Sequence, residues 1–234
     1  FYRNLVASGY ETRGGHSKAS NMMVLNYEHD HEEVIYCWLR RCIYASDKCR
    51  SIAMSNENGQ NMFRIQQHAW WTDRFEDIFM VINRSITAWY EEVAETDRDI
   101  IDSWNDPEDV NVRNVSQMLW ANTIGVGCGY AKITLTNDED ETNIISWHFF
   151  CNYHPSGNRI GEAMYRRGEP ITECPSNFTV GIEYTSLCGE LSLLSNERQM
   201  ISASVDGKEY DQEPFNKSSV NIVVRRGIDN SKAV

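Results

Sequence analysis

His29-Asp-His31 places two imidazoles within one turn of chain, between Glu28 and Glu32. Neutral imidazole and carboxylate bind zinc at about 2.0–2.2 Å, so this run is the first place to look for a metal. It stands at the start of a helical pattern, however, where charged side chains solvate a helix end, and a solvated cap is the expected role. His154, in Cys151-Asn-Tyr-His-Pro155, reads as a loop residue. No serine, histidine and aspartate stand at a spacing that suggests an activated nucleophile. Gly127-Cys-Gly129 sits in a strand pattern and is no phosphate loop, since Gly-x-Gly-x-x-Gly does not occur between a strand and a helix. Cysteine chemistry remains. The chain has seven cysteines and no CxxC pair, which favours disulfides and an oxidising compartment over metal binding.

The elements that must position these residues follow from periodicity. Val126 to Leu135 is rich in β-formers and ends at the acidic turn Asn137-Asp-Glu-Asp-Glu-Thr142; Asn143 to Tyr153 reads as the returning strand. Cys128 and Cys151 are equidistant from the middle of that turn. Opposed positions on an antiparallel pair approach within about 5 Å, so the two are expected to be bridged. Upstream, Asp30 and Glu33 form a capping-box-like start to a helix reaching about Ile43, with Val34, Trp38, Leu39 and Cys42 on one face. A second helix covers Ile78 to Val93, with Ile82, Ile86, Trp89 and Val93 as its apolar stripe and Arg84, Thr87 and Glu91 opposite. A short helix follows at Val115 to Ala121. Beyond Pro170, Ile201 to Tyr210 carries an Asp-Gly turn between short alternating runs, and Ser218 to Arg226 reads as a further strand. The class is α+β, helices packed on a small antiparallel sheet.

At 234 residues the chain can bury a full core, and its net charge of −12 comes without a basic stripe. A nucleic acid is therefore excluded as a natural partner, and an anionic membrane surface would repel it. No apolar run is long enough to span a bilayer; the longest is Ile78-Phe-Met-Val-Ile82. Asn-x-Ser/Thr sequons occur at Asn83, Asn114, Asn177 and Asn216, which are glycosylation candidates if the chain is secreted.

Ser116-Gln-Met-Leu-Trp120 leading to Gly127-Cys-Gly129, answered by Cys151-Asn-Tyr-His-Pro-Ser-Gly-Asn158, resembles the two signatures of the CAP superfamily, the cysteine-rich secretory, venom-allergen and pathogenesis-related proteins. Arg3-Asn-Leu-Val-Ala-Ser-Gly9, Lys18-Ala-Ser-Asn-Met-Met23, Gly59-Gln-Asn61 and Trp89-Tyr-Glu-Glu-Val93 fall in the family's order. The resemblance covers about residues 1 to 190, in particular to venom-allergen-like secreted proteins of parasitic nematodes. It implies a CAP-type α-β-α sandwich over 1–168 and a short cysteine-containing hinge over 169–190 bridged by Cys174 and Cys188; the C-terminal extension over 191–234, read from its residues as short strands, departs from the family and is expected to be a structural add-on over a sheet edge. It also implies secretion, with a leader peptide ahead of Phe1. Cys42 matches the family's helix cysteine, but the usual partner position is Ile133. A local Cys42–Cys49 bridge or one involving Cys37 stays open, with one thiol left over unless it pairs elsewhere.

The family's metal-binding tetrad of two His and two Glu maps onto Ser46, Gln60, Glu92 and Asn114, so one of four ligand types survives. With neither imidazole present, the expectation is no metal, no cofactor and no catalysis at this place. A glycan on Asn114 would obstruct the cleft. Family members also bind sterols and fatty acids through a mobile loop and an interhelical tunnel, independently of the tetrad. The aromatic segment Asn61 to Phe75 makes Trp70, Trp71, Phe75 and Phe79 the candidates here, although these rings could simply seal the entry to the helix near Ile78. Burying an acyl chain yields about 0.8 kcal/mol per methylene, on the order of 10 kcal/mol gross, without any catalytic residue. The first expectation is a non-enzymatic, glycosylated carrier of sterol or fatty acid acting on a host. The second is a host-receptor-binding protein, and the third a metal-dependent hydrolase, which would need two imidazoles the sequence does not place.

Overall fold

The computed structural model describes residues 1–47, 58–68, 77–108, 110–137, 142–176, 178, 183–189 and 220–225. Among these, the elements in chain order are α1 (Tyr2–Ala7), β1 (Asn26–Tyr27), α2 (His29–Leu39), β2 (Gly59–His68), α3 (Ile78–Glu91) continuing into a 3-10 turn (Glu92–Glu95), α4 (Arg98–Asp102), α5 (Arg113–Leu119), β3 (Gly125–Asn137), β4 (Thr142–His154) and β5 (Val220–Arg225). The expected hairpin forms the centre. β3 and β4 pair antiparallel with Cys128 opposite Cys151, and these two are bridged with Cα atoms 4.1 Å apart. Cys174 and Cys188 form the second bridge.

The sheet is larger than the hairpin and is mixed. β2 lies antiparallel to β4 from Gly59 opposite Tyr153 to His68 opposite Ile144, so the first half of the aromatic segment is a strand and not a loop. Its side chains alternate as a strand's must: Asn61, Phe63 and Ile65 share a face with Trp147, Phe149 and Cys151. β1 adds one short parallel contact to β3 beside the expected antiparallel pairs. β5, within the stretch Ser218 to Arg226 expected as a strand, pairs antiparallel with β3 between Tyr130 and Leu135.

Each face of the sheet carries its own core, which makes the α-β-α sandwich. Tyr130, Trp147, Phe149 and Tyr153 pack against Val6, Val81, Trp89, Ile101, Val115 and Leu119 from α1, α3, α4 and α5. On the other face Ala131, Ile133 and Phe150 pack against Ile35, Tyr36 and Leu39 of α2. The buried side of α2 is therefore rotated from the expected one: His31, Glu32, Ile35, Tyr36 and Leu39 face the sheet, while Val34, Trp38 and Cys42 are only partly buried. The cause is close approach to the sheet. A Cβ on Gly127 would stand 2.4 Å from the Glu28 carbonyl oxygen and 2.6 Å from His31 Cβ, so the glycine admits the helix start directly onto β3. Helix α2 consequently begins one residue earlier than Asp30, behind Glu28, with no side-chain cap, and the Asp30–Glu33 capping box is not used. The expected stripe holds at Trp89 and at Val93 in the 3-10 turn, both in the core, with Ile82 and Ile86 partly buried against it, while Val81, Ser85 and Tyr90 are further buried positions of α3. Asp77 caps that helix by accepting from the Phe79 N–H at 2.9 Å.

Candidate functional site

Glu92 stands where α3 tightens into its 3-10 turn, and its carboxylate points at the start of α5. One oxygen accepts the backbone N–H groups of Asn114 at 2.9 Å and Val115 at 3.0 Å; the other accepts from Asn114 Nδ2 at 2.6 Å and Asn111 Nδ2 at 3.3 Å. Helix α5 has Val112 at its own N-cap position, which offers no side-chain acceptor. Glu92 supplies that acceptor from another element, satisfying two orphan donors of the first turn and placing negative charge at the positive helix end. Burial raises the Glu92 pKa, opposed by these hydrogen bonds.

Further hydrogen bonds hold the other tetrad-equivalent positions. Asn61, at the start of β2, donates to the Asn114 carbonyl at 3.0 Å. Beside it, Gln60 donates to Asn152 Oδ1 at 2.9 Å and accepts from the Asp47 N–H at 3.1 Å, which fixes exposed Ser46 one residue away. Ser46, Gln60, Glu92 and Asn114 thus fall into two contact groups, Glu92 with Asn114 and Asn61, and Gln60 with Asn152 and the Asp47 N–H beside Ser46, reached from opposite faces of β2. A zinc ion does not fit this set. It consists of one hydroxyl, two amides and one carboxylate already receiving four hydrogen bonds, with no imidazole or thiolate to take the remaining positions. Among the described residues no three His, Cys, Asp or Glu side chains converge so as to hold a metal.

His29 and Asp30 are exposed at the start of α2 as expected, but His31 is not part of a solvated cap. His31 is fully buried, with Nε2 2.8 Å from a Glu28 carboxylate oxygen and its ring 5.9 Å from that of His154. Burial first, and the neighbouring His154 ring second, bring its pKa down to about 4. His29 leans on Glu32, whose carboxylate also accepts from the Tyr27 hydroxyl at 2.8 Å. His154 closes β4 and is not in a loop.

The signature residues tie α5 to the segments packed around it. Gln117 accepts from the Gly157 N–H at 2.8 Å and donates to Thr123 Oγ1 at 3.3 Å, while Ser116 donates to Asn158 Oδ1 at 2.6 Å. Arg3, wholly buried, donates to the carbonyls of Met23, Met118, Trp120, Ala121 and Thr123 at 2.8–3.3 Å. Burial lowers its pKa to about 9, so it stays charged at neutrality, neutralised by carbonyl dipoles in place of a carboxylate.

This arrangement has known relatives. The model of the CAP family, described as the cysteine-rich secretory protein family, matches residues 2–153. The chain belongs to the CAP family. Venom allergen 5 of Microctonus hyperodae is 27% identical over 165 residues, 70% of this chain and 66% of that protein. A cysteine-rich venom protein of Tityus serrulatus is 28% identical over 194 residues, 81% of this chain and 44% of the other. This CAP chain therefore spans between about two thirds and less than half of the length of those two relatives. The crystal structure of NaASP2 with Zn2+ superposes with a TM-score of 0.60 at 22% identity, covering 80% of this chain and 89% of that one, which shows the shared fold.

The remaining expected site residues are distributed as follows. Phe79, at the start of α3, is 47% exposed beside Met80 at 51%; Trp70, Trp71 and Phe75 lie outside the described residues. Asn83 is exposed on α3, Asn114 is half-buried in the cleft, and Asn177 and Asn216 lie outside the described residues. Cys37 and Cys42 are free thiols, so the local bridge left open for Cys42 is not made; Cys49 lies outside the described residues. No described helix is long and apolar enough to cross a membrane.

Proposed function

We propose that this CAP protein is a secreted, non-enzymatic carrier of small lipids, sterol or fatty acid, acting as an excretory-secretory effector on a host. The observation that carries the non-enzymatic half is the use made of Glu92. The one carboxylate left in the cleft caps α5, and neither Ser46 nor Asn114 can act as a base near neutrality. Lipid binding is supported by the exposed pair Phe79 and Met80, large apolar groups at the end of the aromatic segment that also contains Trp70, Trp71 and Phe75. Secretion is supported by the two disulfides and by venom relatives, and it makes Asn83, Asn114, Asn177 and Asn216 glycosylation sites. The reading divides the chain into a CAP unit over 1–168, a hinge over 169–190 and an extension over 191–234.

Competitive binding of labelled cholesterol and palmitate, with and without excess EDTA, tests this. Saturable binding unchanged by chelation and weakened several-fold by Phe79→Ser is the expected outcome. Failure to bind either ligand overturns the lipid reading and directs attention to a host protein partner.

A further inference from the structure

Away from the Glu92 cleft, an open cavity of about 590 Å3 is lined by Gly15, His16, Ser17, Lys18, Arg98, Arg167, Gly168 and Glu169. In a chain of net charge −12 this lining carries three cations against one carboxylate. Two cations have weak, exposed partners: Lys18 pairs with Glu169 at 2.9 Å and Arg167 with Asp102. Arg98 has no ion-pair partner among the described residues.

The walls are built rather than loosely apposed. Gly168 N–H donates to the Lys18 carbonyl at 3.1 Å, and Ala19 bridges Arg167 in antiparallel fashion. Gly15 N–H donates to the Thr96 carbonyl at 2.7 Å, and a Cβ on Gly15 would fall 2.3 Å from the Arg98 nitrogen, so the loop lies flush against the start of α4. Within this frame two lining residues carry buried polar atoms with no partner in the protein, His16 Nε2 and Ser17 Oγ.

Their hydrogen bonds decide what they offer. The Ser17 N–H donates to the Tyr165 hydroxyl oxygen at 3.2 Å, which leaves the Tyr165 O–H free to donate to His16 Nδ1 at 3.0 Å. A neutral imidazole that accepts at Nδ1 carries its proton on Nε2 and is a donor there. The cavity therefore combines an imidazole N–H, a hydroxyl and three cationic groups, all donors, against the single carboxylate of Glu169, which is paired with Lys18.

We propose that this cavity binds a tetrahedral oxyanion, phosphate either free or as the monoester of a small molecule. Arg98 and Arg167 would meet the oxygens as charge-assisted donors, and His16 Nε2 and Ser17 Oγ would gain the partner the protein does not give them. The volume leaves room for the organic part of an ester. Calorimetric titration with inorganic phosphate and with glycerol 3-phosphate, at ionic strength fixed with chloride, tests the site. Saturable binding of at least one of them, lost by tenfold or more in Arg98→Ala and by threefold or more in Ser17→Ala, is expected. Both variants should keep the wild-type circular dichroism and melting temperature without ligand. Preference between the two probes assigns the source of the oxyanion. No phosphate-specific heat beyond chloride, or undiminished affinity in Arg98→Ala, overturns the proposal.

Discussion

Gln117 spends its amide on backbone and hydroxyl groups it could only meet in the folded chain. With the Gly157 N–H on one end and Thr123 Oγ1 on the other, it ties α5 to the segment after β4. Gln117→Ala leaves that buried N–H without an acceptor, a loss of about 1–3 kcal/mol that urea denaturation should read as a lower midpoint at unchanged slope. A midpoint equal to wild type would show that the pairing contributes nothing. Arg3 and Gln117 are both visible in the sequence as motif letters, but their partners are not. Carbonyls carry no side-chain signature, so a residue whose work is to bind five of them reads as an ordinary arginine until the fold is known.

At the scale of elements, the cap of α5 comes from α3. Glu92→Ala removes the acceptor for Asn114 and Val115 and should cost about 1–2 kcal/mol, with faster amide exchange at those two positions and little change in β3 and β4. Uniform acceleration across the molecule would instead mean that Glu92 holds the fold globally. The central hairpin was legible because its turn is acidic, its strands are β-branched and its cysteines are symmetric about the turn. β2 was not, since Gln60, Arg64, Gln66 and His68 on one face oppose only Phe63 and Ile65 as apolar members of the other. β1 and α4 are too short for periodicity to register. The buried face of α2 was misread because His31 and Glu32, polar by type, face the sheet through Tyr27, Glu28 and Gly127, and only the packed sheet reveals that. The tetrad-equivalent positions came from the family resemblance alone; the contacts of Glu92 and Gln60 depend on Asn61, Asn114, Asn152 and the 3-10 turn, which no motif displays.

Over the whole molecule the buried titratable groups set the response to acid. His16, His31 and His148 are each lowered to about 4 by burial, from an ordinary value of 6.5. The unfolded chain then binds protons that the folded one refuses, so stability is complete above about pH 6.5 and falls as pH drops towards 4. Glu11, held down to about 2 by Arg13, extends the loss between about 4.5 and 2. Glu28 and Glu92, raised by burial, act in the opposite sense but are outnumbered. Melting temperature should thus decline progressively from pH 6.5 downward; a flat profile between pH 7 and 4.5 would contradict the burial of the three imidazoles. The same molecule-wide view gives Arg3 a place in time. Its partner carbonyls beyond Met23 lie 115–120 residues further along the chain. At about 5–20 residues per second of synthesis, the arginine waits on the order of ten seconds after it is made before its socket exists. The segment that carries Arg3 locks only after the residues following α5 have been made, and until then the nascent chain must keep an uncapped cation out of its forming interior.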